Sequence, residues 1–332
     1  MLRASDGGAR QSTPWTHNVV HGLVATGLWN LGGGLYWLTV LPNFILIIGG
    51  TKEAVGFAEG LQGFINMVSA LPAGYLADKW SRKACIRLGA ILQLLCGCCL
   101  LWAVYKAEPK STHAYVFTCI ALGLQGICDG IMYGPLVALM DDSCPAGRRS
   151  DVETANSLVG SLCSGLGPLI GLSMFLGVGN TWSLDSMKWV IGAGVVVGQL
   201  GFFPILRMDD RFALGEESEA VHLQERLQSG IEGGEAREVA NRSSRSVCAG
   251  LVTVRRVRGV LFIGEIIMAL GAGMTVKFFP VFYDQEIHVD PATFQAVSAS
   301  LYGVVAVGTM VANKLSKRCG RLQIAVAGHS IG

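Results

Sequence analysis

A single acidic residue in the middle of an apolar stretch is the clearest candidate for chemistry in this chain. Asp129 lies between Ala114 and Met140, with Gln125 four residues before it and Tyr133 four residues after it. In a helix, this spacing places the three side chains on one face. Because hydrocarbon disfavours a charged carboxylate, Asp129 would either exchange a proton or bind a cationic group. The alternative is a protonated carboxyl that hydrogen-bonds a neighbouring helix.

A polar stripe precedes this acid in the sequence. Glu59, Gln62 and Asn66 follow one another at helical spacing in an otherwise apolar run. Such a stripe would line the outer half of a path between helices, or it would form hydrogen bonds that hold two helices together.

Two further charges lie in the run from Gly259 to Phe282. Glu265 and Lys277 are twelve residues apart, which places them about 120° apart around a helix, so they should not pair with each other. Either would then face a central cavity. Lys277 would bind an anionic solute or extend to the outer membrane interface. Asn30 is a lesser candidate of the same kind.

The composition indicates what surrounds these residues. Of 332 residues, 51% are hydrophobic and only 15% are charged, whereas soluble proteins carry about 25% charged residues. A net charge of +2 gives no basis for nucleic-acid binding. The composition predicts an all-α integral membrane protein with the lipid bilayer as its partner. Trp29, Tyr36 and Trp37 are interpreted as packing or interface anchors.

Membrane-spanning segments are predicted from apolar runs of about 20 residues. There are about eight complete transmembrane helices, called spans 1 to 8, and part of a ninth that begins near Leu322 and is cut off at Gly332. The chain is therefore expected to be a fragment, truncated at its C-terminus. The spans are Val19–Ile48, Ala54–Ala77, Ala84–Tyr105, Ala114–Met140, Val152–Val178, Met187–Leu206, Gly259–Phe282 and Ala292–Ala312.

Four regions follow from the spans. Residues 1–18 form an N-terminal tail, 19–206 a six-helix bundle, 207–258 a partly helical linker, and 259–332 an incomplete second bundle. The loops at 79–87, 148–149 and 314–321 hold ten Lys and Arg residues, and the opposite loops hold four. Because basic loops stay in the cytosol, the N-terminus and the linker are predicted to be cytosolic.

Two loops repeat each other at an offset of 235 residues. Ala-Asp-Lys-Trp-Ser-Arg-Lys begins at Ala77, and Ala-Asn-Lys-Leu-Ser-Lys-Arg begins at Ala312. Parallel halves joined by a linker are typical of transporters that rock two bundles about a central site.

The segment from Gly74 to Lys83 resembles the loop signature of the major facilitator superfamily, with Ser81 where the family has a second glycine. This resemblance implies a transporter that moves a small solute, alone or with a coupling proton or ion, through the plasma membrane or an endomembrane. It also implies a conformational latch, for which plain anchoring by positive charges is the alternative. The latch candidates are Gly74, Asp78, Lys79, Arg82, Lys83, Asn313, Lys314, Lys317 and Arg318.

Two other family motifs match in part. Gln125-Gly126 resembles a proton-coupling motif, but Leu122 stands where that motif has arginine. Gly167-Pro168-Leu-Ile-Gly171 resembles a helix-packing motif of exporters, with Leu172 in place of its last glycine.

Three classes of function are compatible with a helical membrane protein of this kind. A transporter is favoured over a receptor or sensor that binds a solute without net transport, and over a membrane scaffold. The sequence has no P-loop, zinc signature or Gly-x-Ser-x-Gly elbow. We therefore expect no enzyme activity, no metal site and no cofactor.

Overall fold

The computed structural model describes residues 15–79, 81–145, 148–214, 246–247, 252–253, 263–264, 266–267 and 275–319. In these ranges the chain is a bundle of long helices, as the apolar runs predict. The helices are α1 His17–Tyr36, α2 Leu41–Gly49, α3 Lys52–Lys79, α4 Arg82–Tyr105, α5 Thr112–Asp142, α6 Arg149–Val178, α7 Leu184–Gln199, α8 Phe202–Arg207, α9 Phe279–Gln285 and α10 Pro291–Cys319.

The first predicted span is broken. Helices α1 and α2 meet at 47°, and Pro42 stands at the start of α2, where a missing N–H costs nothing. A 3₁₀ helix at Val276–Phe278 comes directly before α9, and Pro280 lies at the start of α9.

Among the described residues, five helices are long and apolar enough to cross a membrane, or six if the bent pair counts as one span. Helices α7 and α8 together form one such span, Leu184–Arg207. Helix α3 is long enough at 28 residues but does not meet this test of apolarity and charge. Its polar stripe is the reason, and that stripe faces other helices, as described below.

Alternate loops meet on two sides of the bundle. On one side, called the linker side, Thr16 donates to the Ser143 carbonyl at 2.8 Å, and Asn18 donates to the Asp209 carbonyl at 3.0 Å. On the opposite side, called the far side, the Lys110 N–H donates to the Ile47 carbonyl at 3.0 Å. This is the up-and-down order that spanning helices with short loops require.

Small residues let the helices approach closely. A Cβ on Gly167 of α6 would lie 2.6 Å from the Gly34 carbonyl carbon, and one on Gly32 of α1 would lie 2.5 Å from the Gly194 oxygen. Close backbone approach of this kind is how membrane helices associate without a hydrophobic driving force. Pro168 is buried beside Gly167, and a Cβ on Gly171 would lie 2.7 Å from Gln295 Nε2.

Only short parts of the predicted linker are described. Residues of the predicted partly helical region hold a 3₁₀ turn at Asp210–Phe212 and a two-residue antiparallel pair, Ser246–Val247 with Val252–Thr253. Half of span 7, with Glu265, and the partial ninth span lie outside the described residues.

Candidate functional site

Two cavities share Asp129 in the interior of the bundle. The first, of about 210 Å³, lies between α1, α3, α4, α5 and α7. The second, of about 710 Å³, extends between α3 and α5 to Arg82 on the linker side. The first cavity is lined by Trp29, Gly33, Tyr36, Trp37, Gln62, Gln93, Gln125, Asp129, Met132, Gly194, Val195, Gly198 and Gln199.

Amide groups from two helices hold the Asp129 carboxylate. Gln125 Nε2, one turn earlier on α5, donates to Oδ1 at 2.7 Å. Gln62 Nε2 on α3 donates to Oδ2 at 3.1 Å. Each bond satisfies one oxygen and leaves it capacity to accept another donor. The geometry therefore presents a fixed carboxylate to both cavities.

Two glutamines of this cavity were missed in the sequence. Gln199 Nε2 of α7 donates to the Gln93 backbone carbonyl at 2.9 Å, which joins α7 to α4. Neither glutamine was predicted to line the path, because each is an isolated amide in an apolar run. Trp29, Tyr36 and Trp37 line the same cavity, whereas the sequence suggested packing or interface anchors.

A buried ion pair joins the predicted bundles near the far side. Lys277 Nζ lies 2.7 Å from Glu59 Oε2, and the two side chains are 22% and 5% exposed. The same ammonium lies 4.8 Å from the centre of the Trp37 ring. The alternative of a lysine that extends to the interface is therefore wrong for this structure, because a buried acid and an aromatic face hold the ammonium inside.

The other residues that were predicted to line the path lie in different parts of the bundle. Asn66 and Tyr133 line the second cavity with Asp129. Asn30 lies apart from Asp129, in a pocket of about 200 Å³ with Ser164 and Tyr302. There its Oδ1 accepts from Ser164 Oγ at 3.0 Å, which is a contact between α1 and α6.

Two basic residues of the predicted latch, Arg82 and Lys83, contact the first bundle. Arg82 pairs with Asp142 and donates to the Ala138 carbonyl at 3.3 Å, and Lys83 pairs with Asp209. The hydrogen bond from Lys83 lowers the pKa of the Asp209 carboxyl below its ordinary range, so this carboxylate stays charged at neutral pH.

The other latch candidates are partly described. Gly74 lines the second cavity, and Lys79 Nζ lies 3.4 Å from the Tyr75 hydroxyl. Asn313 and Lys314 lie near the end of α10. The side chains of Asp78, Lys317 and Arg318 lie outside the described part of the structure.

The fold and the cavity define a class of protein, a helical membrane bundle with a charged polar centre. The family model of the Major Facilitator Superfamily matches residues 22–332, and the chain belongs to this family. It is an integral, multi-pass membrane protein.

The chain also aligns with the uncharacterized protein MG294 homolog of Mycoplasma pneumoniae. The two are 25% identical over 115 residues, which is 33% of this chain and 24% of that protein. The match thus spans about a quarter of the relative's length.

Proposed function

We propose that this protein transports a small polar solute by alternating access, with the first cavity as the binding site and Asp129 as its central group. The observation that carries the proposal is the position of Asp129. It lies inside the bundle, is oriented by Gln62 and Gln125, and is shared by the two cavities. Intramembrane carboxylates are expensive and usually serve a substrate or ion path.

Hydrogen bonds between the two predicted bundles indicate which conformational state of the transport cycle the structure represents. On the far side, Asn43 Nδ2 donates to the Pro280 carbonyl at 3.3 Å, and Trp182 Nε1 donates to the Val289 carbonyl at 2.8 Å. Asn180 Nδ2 donates to Asp290 at 3.0 Å. These bonds close the far side, while the larger cavity extends toward the linker side. With the linker in the cytosol, as the basic loops indicate, this is the inward-facing state.

Transport is tested with the purified full chain in proteoliposomes. We expect saturable solute flux that Asp129→Asn lowers at least about tenfold, a loss of about 1.4 kcal/mol in transition-state stabilisation. Asp185→Asn is the matched control, because that side chain is 90% exposed. Saturable binding without net flux would instead support the receptor alternative.

The predicted latch gives a second test. We expect Asp78→Asn to lower the transport rate about tenfold while the protein remains in the membrane, because the latch would bias one of two conformations. Transport kinetics and surface abundance are measured together. Unchanged kinetics would contradict the latch and favour simple anchoring by the positive charges of this loop.

A further inference from the structure

The Asp129 carboxyl of the first cavity is held by two amides and by no cation that the structure describes. Among the residues that the structure describes, no Lys, Arg or His nitrogen lies within 4 Å of the Asp129 carboxylate, whose partners are two amides. Lys277 influences Asp129 only at longer range and is paired with Glu59. A carboxylate inside a membrane bundle is stabilised when a cation binds beside it.

Two buried polar atoms of the same cavity residues lack partners. Gln199 Oε1, an acceptor, and Trp29 Nε1, a donor, make no hydrogen bond with any described residue. Buried polar groups in folded proteins are nearly always paired. Both residues line the first cavity, and a ligand there that offers both a donor and an acceptor would satisfy these two atoms.

The volume of the cavity and the residues that line it restrict the size and the charge of the ligand. Its 210 Å³ is below the roughly 300–1,000 Å³ of sites for drug-sized molecules. The rings of Trp29, Tyr36 and Trp37 line it, and aromatic faces attract cations. These features favour a small, positively charged ligand.

We infer that the solute is a small primary amine with a hydroxyl or similar acceptor, an inference that rests on the proposed transport function of this cavity. Its ammonium binds the Asp129 carboxylate and Gln199 Oε1, and its hydroxyl accepts from Trp29 Nε1. A primary ammonium has three N–H donors, enough for both acceptors, whereas a quaternary ammonium has none.

Binding to the purified full chain tests this assignment. The probes are linear amino alcohols from ethanolamine to 6-amino-1-hexanol, with diols of matching length and choline as comparisons, measured by calorimetry at neutral pH. We expect at least one amino alcohol to bind at least tenfold more tightly than its diol and than choline. Absence of binding by every amino alcohol, or equal binding by the diols, would overturn the assignment.

Two variants locate the ligand. Asp129→Asn should weaken amino alcohol binding at least tenfold, and the exposed-residue control Asp185→Asn should leave it unchanged. Trp29→Phe keeps the ring and removes the N–H, so it should lower the preference for an amino alcohol over the alkylamine of matching length. An unchanged preference in Trp29→Phe, or unchanged affinity in folded Asp129→Asn, would overturn the assignment.

Two experimental outcomes distinguish a wrong ligand assignment from a wrong transport function. Amino alcohol binding without flux in proteoliposomes would support the amine site and contradict transport. Saturable flux of a neutral solute that Asp129→Asn lowers, without binding of any amino alcohol, would support transport and contradict the amine site.

Discussion

Lys277→Met is expected to lower the free energy of unfolding by about 3–5 kcal/mol, because it leaves the Glu59 carboxylate buried without its partner. Glu59 is 5% exposed at its side chain. Glu59→Gln should cost less, because the remaining ammonium is 22% exposed and still lies over the Trp37 ring. The double variant Glu59→Gln/Lys277→Met should recover most of the loss, because it removes both charges.

Unfolding of the four proteins in detergent gives this double-mutant cycle. The matched control is Lys52→Met, which breaks the far-side pair with Glu286 at 3.2 Å, where the side chains are 53% and 57% exposed. An exposed pair contributes about 0–1 kcal/mol, so this variant should change little. Additive losses, or a Lys277→Met protein as stable as Lys52→Met, would show that the buried pair does not couple the two bundles.

Gly126→Ala and Gly130→Ala are each expected to destabilise the bundle by about 1–3 kcal/mol through overpacking. A Cβ on Gly130 of α5 would lie 2.8 Å from both the Ala70 nitrogen and the Asn66 oxygen of α3, and one on Gly126 would meet the Gln62 carbonyl oxygen. These are backbone atoms, which cannot rotate aside, so α3 must move away from α5. That movement would separate Gln62 from Asp129 and lower transport as well.

Gly63→Ala is the control, because it lies on α3, the other helix of this contact, and nothing lies within 4 Å of its added Cβ. In soluble helices alanine is favoured over glycine by about 0.8–1.0 kcal/mol, so this variant should be as stable as the wild type or more so. Thermal unfolding and solute flux are measured for all three variants. If Gly130→Ala behaves like Gly63→Ala, the close contact between α3 and α5 does not determine the geometry of the site.

The sequence predicted the features that depend on local periodicity. The long apolar runs predicted α4, α5, α6 and α10, because about 20 apolar residues in a helix match the thickness of a bilayer. The spacing of Gln125 and Asp129 predicted a shared helical face, and the structure joins them by a hydrogen bond. The loop from Gly74 to Lys83 predicted the family to which the chain belongs.

Only the tertiary structure decided which faces meet. The hydrogen bond from Gln62 to Asp129 joins residues 67 positions apart, and the pair of Glu59 with Lys277 joins the two predicted bundles. The contact between Gln93 and Gln199 depends on the packing of α4 against α7, so the sequence alone did not predict it. Helical periodicity fixes the direction of a side chain around its own axis, but the partner depends on how helices pack. Here glycine contacts between backbones set that packing.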